Sequence, residues 1–124
     1  MNYLAIDYGT KRIGLAISTS GIISTISPIA NNKESFSVLI KICQNHQIDK
    51  VFVGISEGDF AKQTQDFVAQ LKDVLKLPIE EIEEAVSTIE AQQLFQQLHK
   101  KKKNYKKEID SISAAIILRR ALTN

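Results

Sequence analysis

The sequence predicts an α/β fold built on a mixed five-stranded β-sheet. Three short apolar runs near the N-terminus are separated by tight turn signals, which favours an antiparallel meander. Two later apolar runs alternate with segments of helical periodicity, and the first of them has the solid apolar character of a buried parallel strand. We therefore expect a three-stranded antiparallel meander extended by parallel strands, with helices on both faces of the sheet.

The pattern places the elements in the order βββαβαβαα. Strands are expected at residues 3–7, 12–18, 21–29, 51–55 and 79–86. Helices are expected from Asn31-Asn32 onward and over residues 59–76, 87–98 and 108–122. This order is that of the ribonuclease-H-like fold. The 124 residues contain no repeat or linker, so we expect a single domain over residues 1–124.

The composition excludes several classes of protein. Hydrophobic residues make up 44% and charged residues 24% of the chain, as in a soluble globular domain. The lone cysteine, Cys43, cannot form an intrachain disulfide, and its place on an apolar helix face predicts a core residue. No apolar run approaches the roughly 20 residues of a membrane span, and the N-terminus lacks a signal-peptide pattern. We expect a cytoplasmic protein that does not contact membranes.

The charge is unevenly distributed along the chain. Six lysines lie between Lys100 and Lys107 without an intervening acid. Removing these six from the 16 basic residues leaves ten against 14 acidic ones, a balance of −4. An acidic cluster, which includes Glu83 and Glu84, precedes this basic segment. Such a pairing suits a metal-dependent enzyme that acts on a polyanion, but the charges alone favour the simpler explanation, a solvated loop beside a solvated strand edge.

Carboxylates occupy three positions along the chain that could form one site. Asp7 ends the first strand, Glu83-Glu84 end the fifth, and Asp110 is expected to open the last helix. Each has a structural explanation: a turn cap for Asp7, solubility of an edge strand for the glutamates, and the helix dipole for Asp110. Only one of Glu83 and Glu84 can face the same side of the sheet as Asp7. In a ribonuclease-H-like fold the three positions converge, and three carboxylates can hold two divalent cations about 4 Å apart for phosphodiester hydrolysis.

The sequence resembles the YqgF/RuvX family in four motifs that follow the family's order. The first is the opening segment at residues 4–16, which contains Asp7-Tyr8-Gly9-Thr10-Lys11-Arg12. The others are Val53-Gly54, residues 87–91 and the C-terminal segment at residues 110–118. Members of this family are small ribonuclease-H-like proteins assigned to Holliday junction resolution and to pre-16S ribosomal RNA processing.

The resemblance implies catalytic, metal-binding roles for Asp7, Glu84 and Asp110, with Mg²⁺ or Mn²⁺, expected as two ions, as the cofactor. It implies as substrate a structured nucleic acid, either pre-rRNA or branched DNA, and a monomer or homodimer as the working unit. Basic residues near these carboxylates are expected to contact the nucleic-acid backbone. They are Lys11, Arg12, Lys100, Lys101, Lys102, Lys103, Lys106 and Lys107.

The chain departs from the family at Ala85, where the family carries an arginine that could make a bidentate phosphate contact. This departure keeps open a second hypothesis, a nucleic-acid-binding module of the same fold with weakened catalysis. The Asp-x-Gly-Thr turn also occurs in sugar kinases and actin-like ATPases. Those proteins need two such domains, and this chain is too short for both.

Overall fold

The computed structural model describes residues 1–55, 61–83 and 105–123, and for residues 105–110 it describes the backbone alone. Several predicted features therefore lie outside the described residues. They are Glu84, Ala85, the helix at residues 87–98 and Lys100–Lys103.

The described chain forms a five-stranded mixed sheet in the spatial order β3-β2-β1-β4-β5. The strands are β1 (Tyr3–Tyr8), β2 (Arg12–Thr19), β3 (Ile22–Ala30), β4 (Lys50–Ile55) and β5 (Ile79–Glu83). The first three pair antiparallel, and β4 runs parallel to both β1 and β5. The helices are α1 (Ser35–Asn45), α2 (Ala61–Leu75) and α3 (Tyr105–Thr123). The predicted α/β class, with its meander and parallel strands, is confirmed.

The strand pleat sends alternate side chains into two separate cores. Leu4 and Ile6 of β1 point to the face covered by α1 and α2, where Phe67 and Leu71 pack. Ala5, between them, points to the opposite face and packs with residues of α3. Helices therefore cover both faces of the sheet, as predicted.

Helix α1 begins later than expected, because Asn31 and Asn32 belong to a turn. The side-chain Oδ1 of Asn32 accepts a hydrogen bond from the Glu34 backbone N–H at 2.9 Å. The Ser35 hydroxyl accepts one from the Asn32 N–H at 2.8 Å. Short polar side chains of this kind offer the backbone an alternative to helical bonding. The helix therefore begins at Ser35.

Helix α3 begins earlier than expected, at Tyr105 instead of residue 108. Its sequence contains neither glycine nor proline, and lysine has a good helix propensity. Lys106 and Lys107 thus lie in the first turn of a helix, and the prediction of a basic loop is wrong for these two residues. The prediction that Asp110 opens the helix is also wrong, since it lies in the second turn. There the helix dipole, which acts within the first turn, gives a weaker reason for an acid.

The edge strand β3 carries no charge along its whole length, and no charged residue occurs between Arg12 and Lys33. Its pairing with β2 shifts by one residue between Ile13 and Leu15. Opposite this shift β3 contains Pro28, which has no backbone N–H to donate. A bulge and a proline therefore interrupt the pairing at this end of the edge strand.

Within the described residues, none of the helices combines the length and the apolar character that crossing a membrane would require.

Burial makes Cys43 chemically inert. The side chain is 6% exposed, and desolvation raises the pKa of its thiol to about 11. At pH 8 only about a thousandth of the thiol is ionised, and the thiolate is the reactive form. We expect iodoacetamide to leave the native protein unmodified at pH 8 and to alkylate the chain rapidly in guanidinium chloride, as measured by mass spectrometry. Rapid alkylation of the native protein at pH 8 would contradict this.

Candidate active site at the end of β1

Asp7 lies near the C-terminal end of β1, the central strand of the sheet. It has the same parity as Ala5, so it points to the face on which α3 packs. The residue is half-buried and engages other groups of the protein. The prediction that Asp7 lies near the end of the first strand is thus confirmed. The strand pleat adds that its side chain points to the α3 face of the sheet.

Both strands beside Asp7 place a glycine directly next to it. Gly14 of β2 and Gly54 of β4 are its register partners, and both are buried. Side chains at paired positions stand about 5 Å apart on the same face of a sheet. Because glycine has no side chain, neither register partner places a side chain directly beside the Asp7 carboxylate. Glycine at both positions is compatible with a carboxylate that accepts a ligand from outside the sheet.

The turn that follows Asp7 is closely packed around Gly9. A Cβ on Gly9 would lie 2.5 Å from the backbone oxygen of Arg12, a distance that real Cβ atoms do not reach. Asn31 fastens this turn from outside: its Nδ2 donates to the Gly9 oxygen at 2.8 Å, and its backbone N–H donates to the Lys11 oxygen at 2.9 Å. The exposed Lys11 and Arg12 are thereby held at the same strand end as Asp7.

Arg12 also shares a face with Asp7. Along β2 it has the parity of Gly14, the register partner of Asp7, and it is the diagonal neighbour of Asp7 across the β1–β2 pair. The structure therefore brings Asp7 and Arg12 to one face and one end of the sheet. This arrangement suits the binding of an anion that contacts both the Arg12 guanidinium and a cation held by Asp7.

A buried hydroxyl positions the start of α3 against the sheet. Ser111 is fully buried, and its Oγ donates to the Ile26 backbone oxygen at 2.6 Å and accepts from the Leu15 N–H at 3.3 Å. The bond thus joins α3 to both β2 and β3 beside the bulge. Leu15 follows Gly14, which pairs with Asp7. The backbone of Asp110, one residue before Ser111, is consequently held near the strand that carries Asp7.

The pleat of β5 directs Glu83 away from the face that carries Asp7. Ile82 lies on the α3 face, and Ile79 packs in the opposite core. Glu83 has the parity of Ile79, so it faces away from Asp7 and is exposed. The structure therefore removes Glu83 from the candidate site. Glu84 itself lies outside the described residues.

The described residues contain no group of three or more His, Cys, Asp or Glu side chains arranged to hold a metal ion. The predicted ligand set is only partly within this description, since Glu84 and the side chain of Asp110 fall outside it. Among the predicted phosphate contacts, Lys11 and Arg12 are at the candidate site. Lys106 and Lys107 are described by backbone position only, and Lys100–Lys103 are not described.

Sequence reasoning did not identify the residues that build this site around Asp7. Ser111 and Asn31 act through hydrogen bonds to residues far away in sequence, and no local pattern marks such partners. Gly14 and Gly54 did carry a signal, because glycine inside a strand often marks a close approach of a ligand or another backbone.

Comparison with known proteins identifies the family. The family model described as "RuvX: Holliday junction resolvase" matches residues 1–124. The chain belongs to the RuvX family. One curated relative, from Sulfurihydrogenibium sp. (strain YO3AOP1), bears the name "Putative pre-16S rRNA nuclease". It is 36% identical over 93% of this chain and 85% of its own length. A relative with the same name from Halothermothrix orenii is 30% identical over 95% of this chain and 91% of its own.

Solved structures of resolvases share the fold of this RuvX-family chain. The complex of Thermus thermophilus RuvC with a Holliday junction substrate superposes with a TM-score of 0.64. It is 12% identical, over 99% of this chain and 97% of the other. A fowlpox virus resolvase bound to Holliday junction DNA also has a TM-score of 0.64, at 13% identity over 100% of both chains. At these identities the likeness concerns the fold, and it confirms the ribonuclease-H-like architecture.

Removal of the Ser111 hydroxyl should destabilise the protein. Ser111→Ala leaves the Leu15 N–H and the Ile26 carbonyl without this partner in a buried place, which costs about 1–3 kcal/mol. Urea unfolding measures this loss. The exposed helical Ser37→Ala is the matched control, with an expected change within about 0.5 kcal/mol. Equal stabilities of the two variants would show that the bridge is unimportant.

A side chain at Gly9 should disrupt the turn that carries Lys11 and Arg12. Gly9→Ala places a methyl group against a backbone oxygen, and we expect a loss of about 1–3 kcal/mol in the free energy of unfolding. Gly21→Ala is the comparison, because its Cβ would meet nothing within 4 Å while its φ of +83° alone costs about 1 kcal/mol. A smaller loss for Gly9→Ala than for Gly21→Ala would refute the steric argument.

Proposed function

We propose that the protein is a metal-dependent nuclease that hydrolyses phosphodiester bonds in structured nucleic acid. The observation that carries this proposal is the position of Asp7, which lies near the C-terminal end of the central strand, between two buried glycines, on the face packed by α3. Family membership supports the same activity, because both the family description and the names of the relatives refer to nucleases.

Asp7, Glu84 and Asp110 are the carboxylates that would hold Mg²⁺ or Mn²⁺. Hard oxygen ligands suit these ions, and the two register partners of Asp7 are glycines, which place no side chain beside its carboxylate. Because β5 turns Glu83 away from this face, Glu84 is the glutamate that we assign to the site. Divalent ions bound there would supply Lewis acidity toward the phosphodiester and its attacking water.

The chain's own cations orient the substrate. Lys11 and Arg12, held by Asn31 at the end of β1, contact backbone phosphates and place the scissile phosphodiester over Asp7. The lysines at positions 100–103, 106 and 107 extend this contact along the nucleic acid. Such contacts carry no sequence information, and they make binding strongly dependent on salt concentration.

We infer that the substrate is the end of a pre-16S ribosomal RNA, because two relatives are named putative pre-16S rRNA nucleases. They are 36% and 30% identical to this chain, and the similarity extends over most of their length. The second candidate substrate is a four-way DNA junction, which the description of the family model favours. A junction resolvase cuts two strands symmetrically and would work as a homodimer, whereas trimming of RNA requires only a monomer.

Replacement of the central carboxylate should abolish cleavage. With Mg²⁺ or Mn²⁺ present, we expect Asp7→Asn to lower the cleavage rate at least about 100-fold, because the site loses a charged ligand while its shape is kept. Gel-resolved products from a pre-16S RNA end, a single-stranded RNA and a four-way DNA junction measure the rate and identify the substrate. Asp73→Asn, an exposed change on α2, is the matched control.

Two outcomes would contradict the proposal in different ways. Cleavage that survives Asp7→Asn would remove this residue from the mechanism. Absence of product from wild-type protein on all three substrates, together with tight binding at low salt, would instead favour a nucleic-acid-binding module with weakened catalysis. The family arginine that is replaced by Ala85 gives that alternative its support.

A further inference from the structure

A second site lies on the other face of the sheet, at the same end of β1. Here a pocket of about 350 Å³ opens between the first turn of α1 and the outer side of α2. Its aromatic wall contains Tyr8, Phe36 and Phe67, and its rim contains Asn32, Gln63 and Asp66. The volume is at the small end of the range for ligand pockets and suits a single planar group.

The wall of the pocket is a stack of three aromatic rings. The Phe67 ring lies 4.2 Å from the Tyr8 ring and 5.5 Å from the Phe36 ring, measured between centroids, with interplanar angles of 24° and 22°. Phe67 is buried, while Tyr8 and Phe36 are each half-buried. All three rings line the pocket, and nearly parallel rings that are partly exposed, as Phe36 is, offer a surface on which a nucleobase can stack.

The rim is polar, and its charge is negative. Gln63, Asp66 and Gln70 lie three and four residues apart on one side of α2. Within the described part of the chain, these three side chains make no hydrogen bond or ion pair. Asp66 is the one charged residue among the described residues that line the pocket. A carboxylate here repels a phosphate and accepts hydrogen bonds from a donor-rich edge of a neutral ligand.

Among the nucleobases, guanine best matches this chemistry. Its Watson–Crick edge presents two adjacent donors, N1–H and the N2 amino group, which fit the two oxygens of one carboxylate. Adenine, cytosine and uracil each present a single donor group on that edge. Bidentate pairing with a charged partner is the stronger and more selective arrangement.

The pocket and the candidate active site share the end of β1 and the turn that follows it. Tyr8 directly follows Asp7 and points to the opposite face of the same strand end. Asn31 lines the pocket and also fastens the turn that carries Lys11 and Arg12. A nucleic-acid strand that crosses this end of β1 can therefore hold a phosphate on one face and an adjacent base on the other.

We propose that this pocket binds an unpaired guanine of the nucleic-acid substrate by stacking on the Tyr8–Phe67–Phe36 rings and by pairing with Asp66. The placement of that guanine beside the scissile phosphate rests on the proposed nuclease function. The binding of the base does not, and it can be measured without cleavage.

The experiment uses the full chain in EDTA with four RNA tetramers, UUGU, UUAU, UUCU and UUUU. Dissociation constants come from titrations that follow the side-chain amide resonances of Gln63 and Gln70. We expect UUGU to bind at least about fivefold more tightly than the other three. In Asp66→Asn this preference disappears while the fold is kept, because the change is on the surface. Asp73→Asn, also exposed on α2 but outside the pocket, retains it.

Equal affinities for the four tetramers, or a guanine preference that survives Asp66→Asn, would overturn the assignment. Perturbations confined to residues away from Gln63 and Gln70 would also overturn it. These outcomes are separate from failure of the nuclease proposal, which Asp7→Asn tests by cleavage in the presence of metal. A guanine preference in a protein that cleaves nothing would leave the base pocket in place and remove only the nuclease.

Discussion

The contact between α3 and the sheet is the constraint on which the candidate site depends. Ala114 and Ala115 of the helix share one buried cluster with Ala5 and Ala16 of the strands, and small residues on both sides allow a close approach. Close packing alone leaves the helix free to shift along its axis. The Ser111 hydroxyl removes that freedom, since it is bonded to both β2 and β3. A shift by one turn would move residue 110 about 5 Å along the sheet.

Much of the fold could be predicted from the sequence, because the strands follow simple periodicities. The predicted first and last residues of four of the five strands agree with the structure within a residue or two. These strands are marked in the sequence by apolar runs or by the turn signals between them. The fifth agrees at its beginning, residue 79. The first residues of α1 and α3 were harder to predict, because side-chain hydrogen bonds and helix propensity compete at these two places. Side-chain bonds from Asn32 and Ser35 delay one helix, and favourable propensity extends the other through the lysines.

The position of Asp7 near a strand end was predictable, and the hydrogen bonds that support this part of the structure were not. Asp7 at a strand end is visible from residue type and position, and family motifs add Glu84 and Asp110. Ser111, however, bonds to residues 96 and 85 positions away, and Asn31 to one 22 positions away. No local pattern identifies partners at such distances. The register of β5 adds that Glu83 faces away from Asp7, and the assignment of Glu84 stays a prediction from the family motifs.

The alternation along β1 limits how the gene for this protein can change. Asp7 and Tyr8 are consecutive residues of the strand, so their side chains point to opposite faces of the sheet. Substitutions in the apolar residues before them can be absorbed by repacking. An insertion or deletion of one codon between residues 3 and 7 would exchange the two faces, sending the carboxylate into the apolar core under α2 and the ring toward α3. Evolution of this strand can therefore proceed by amino-acid substitution far more readily than by insertion or deletion.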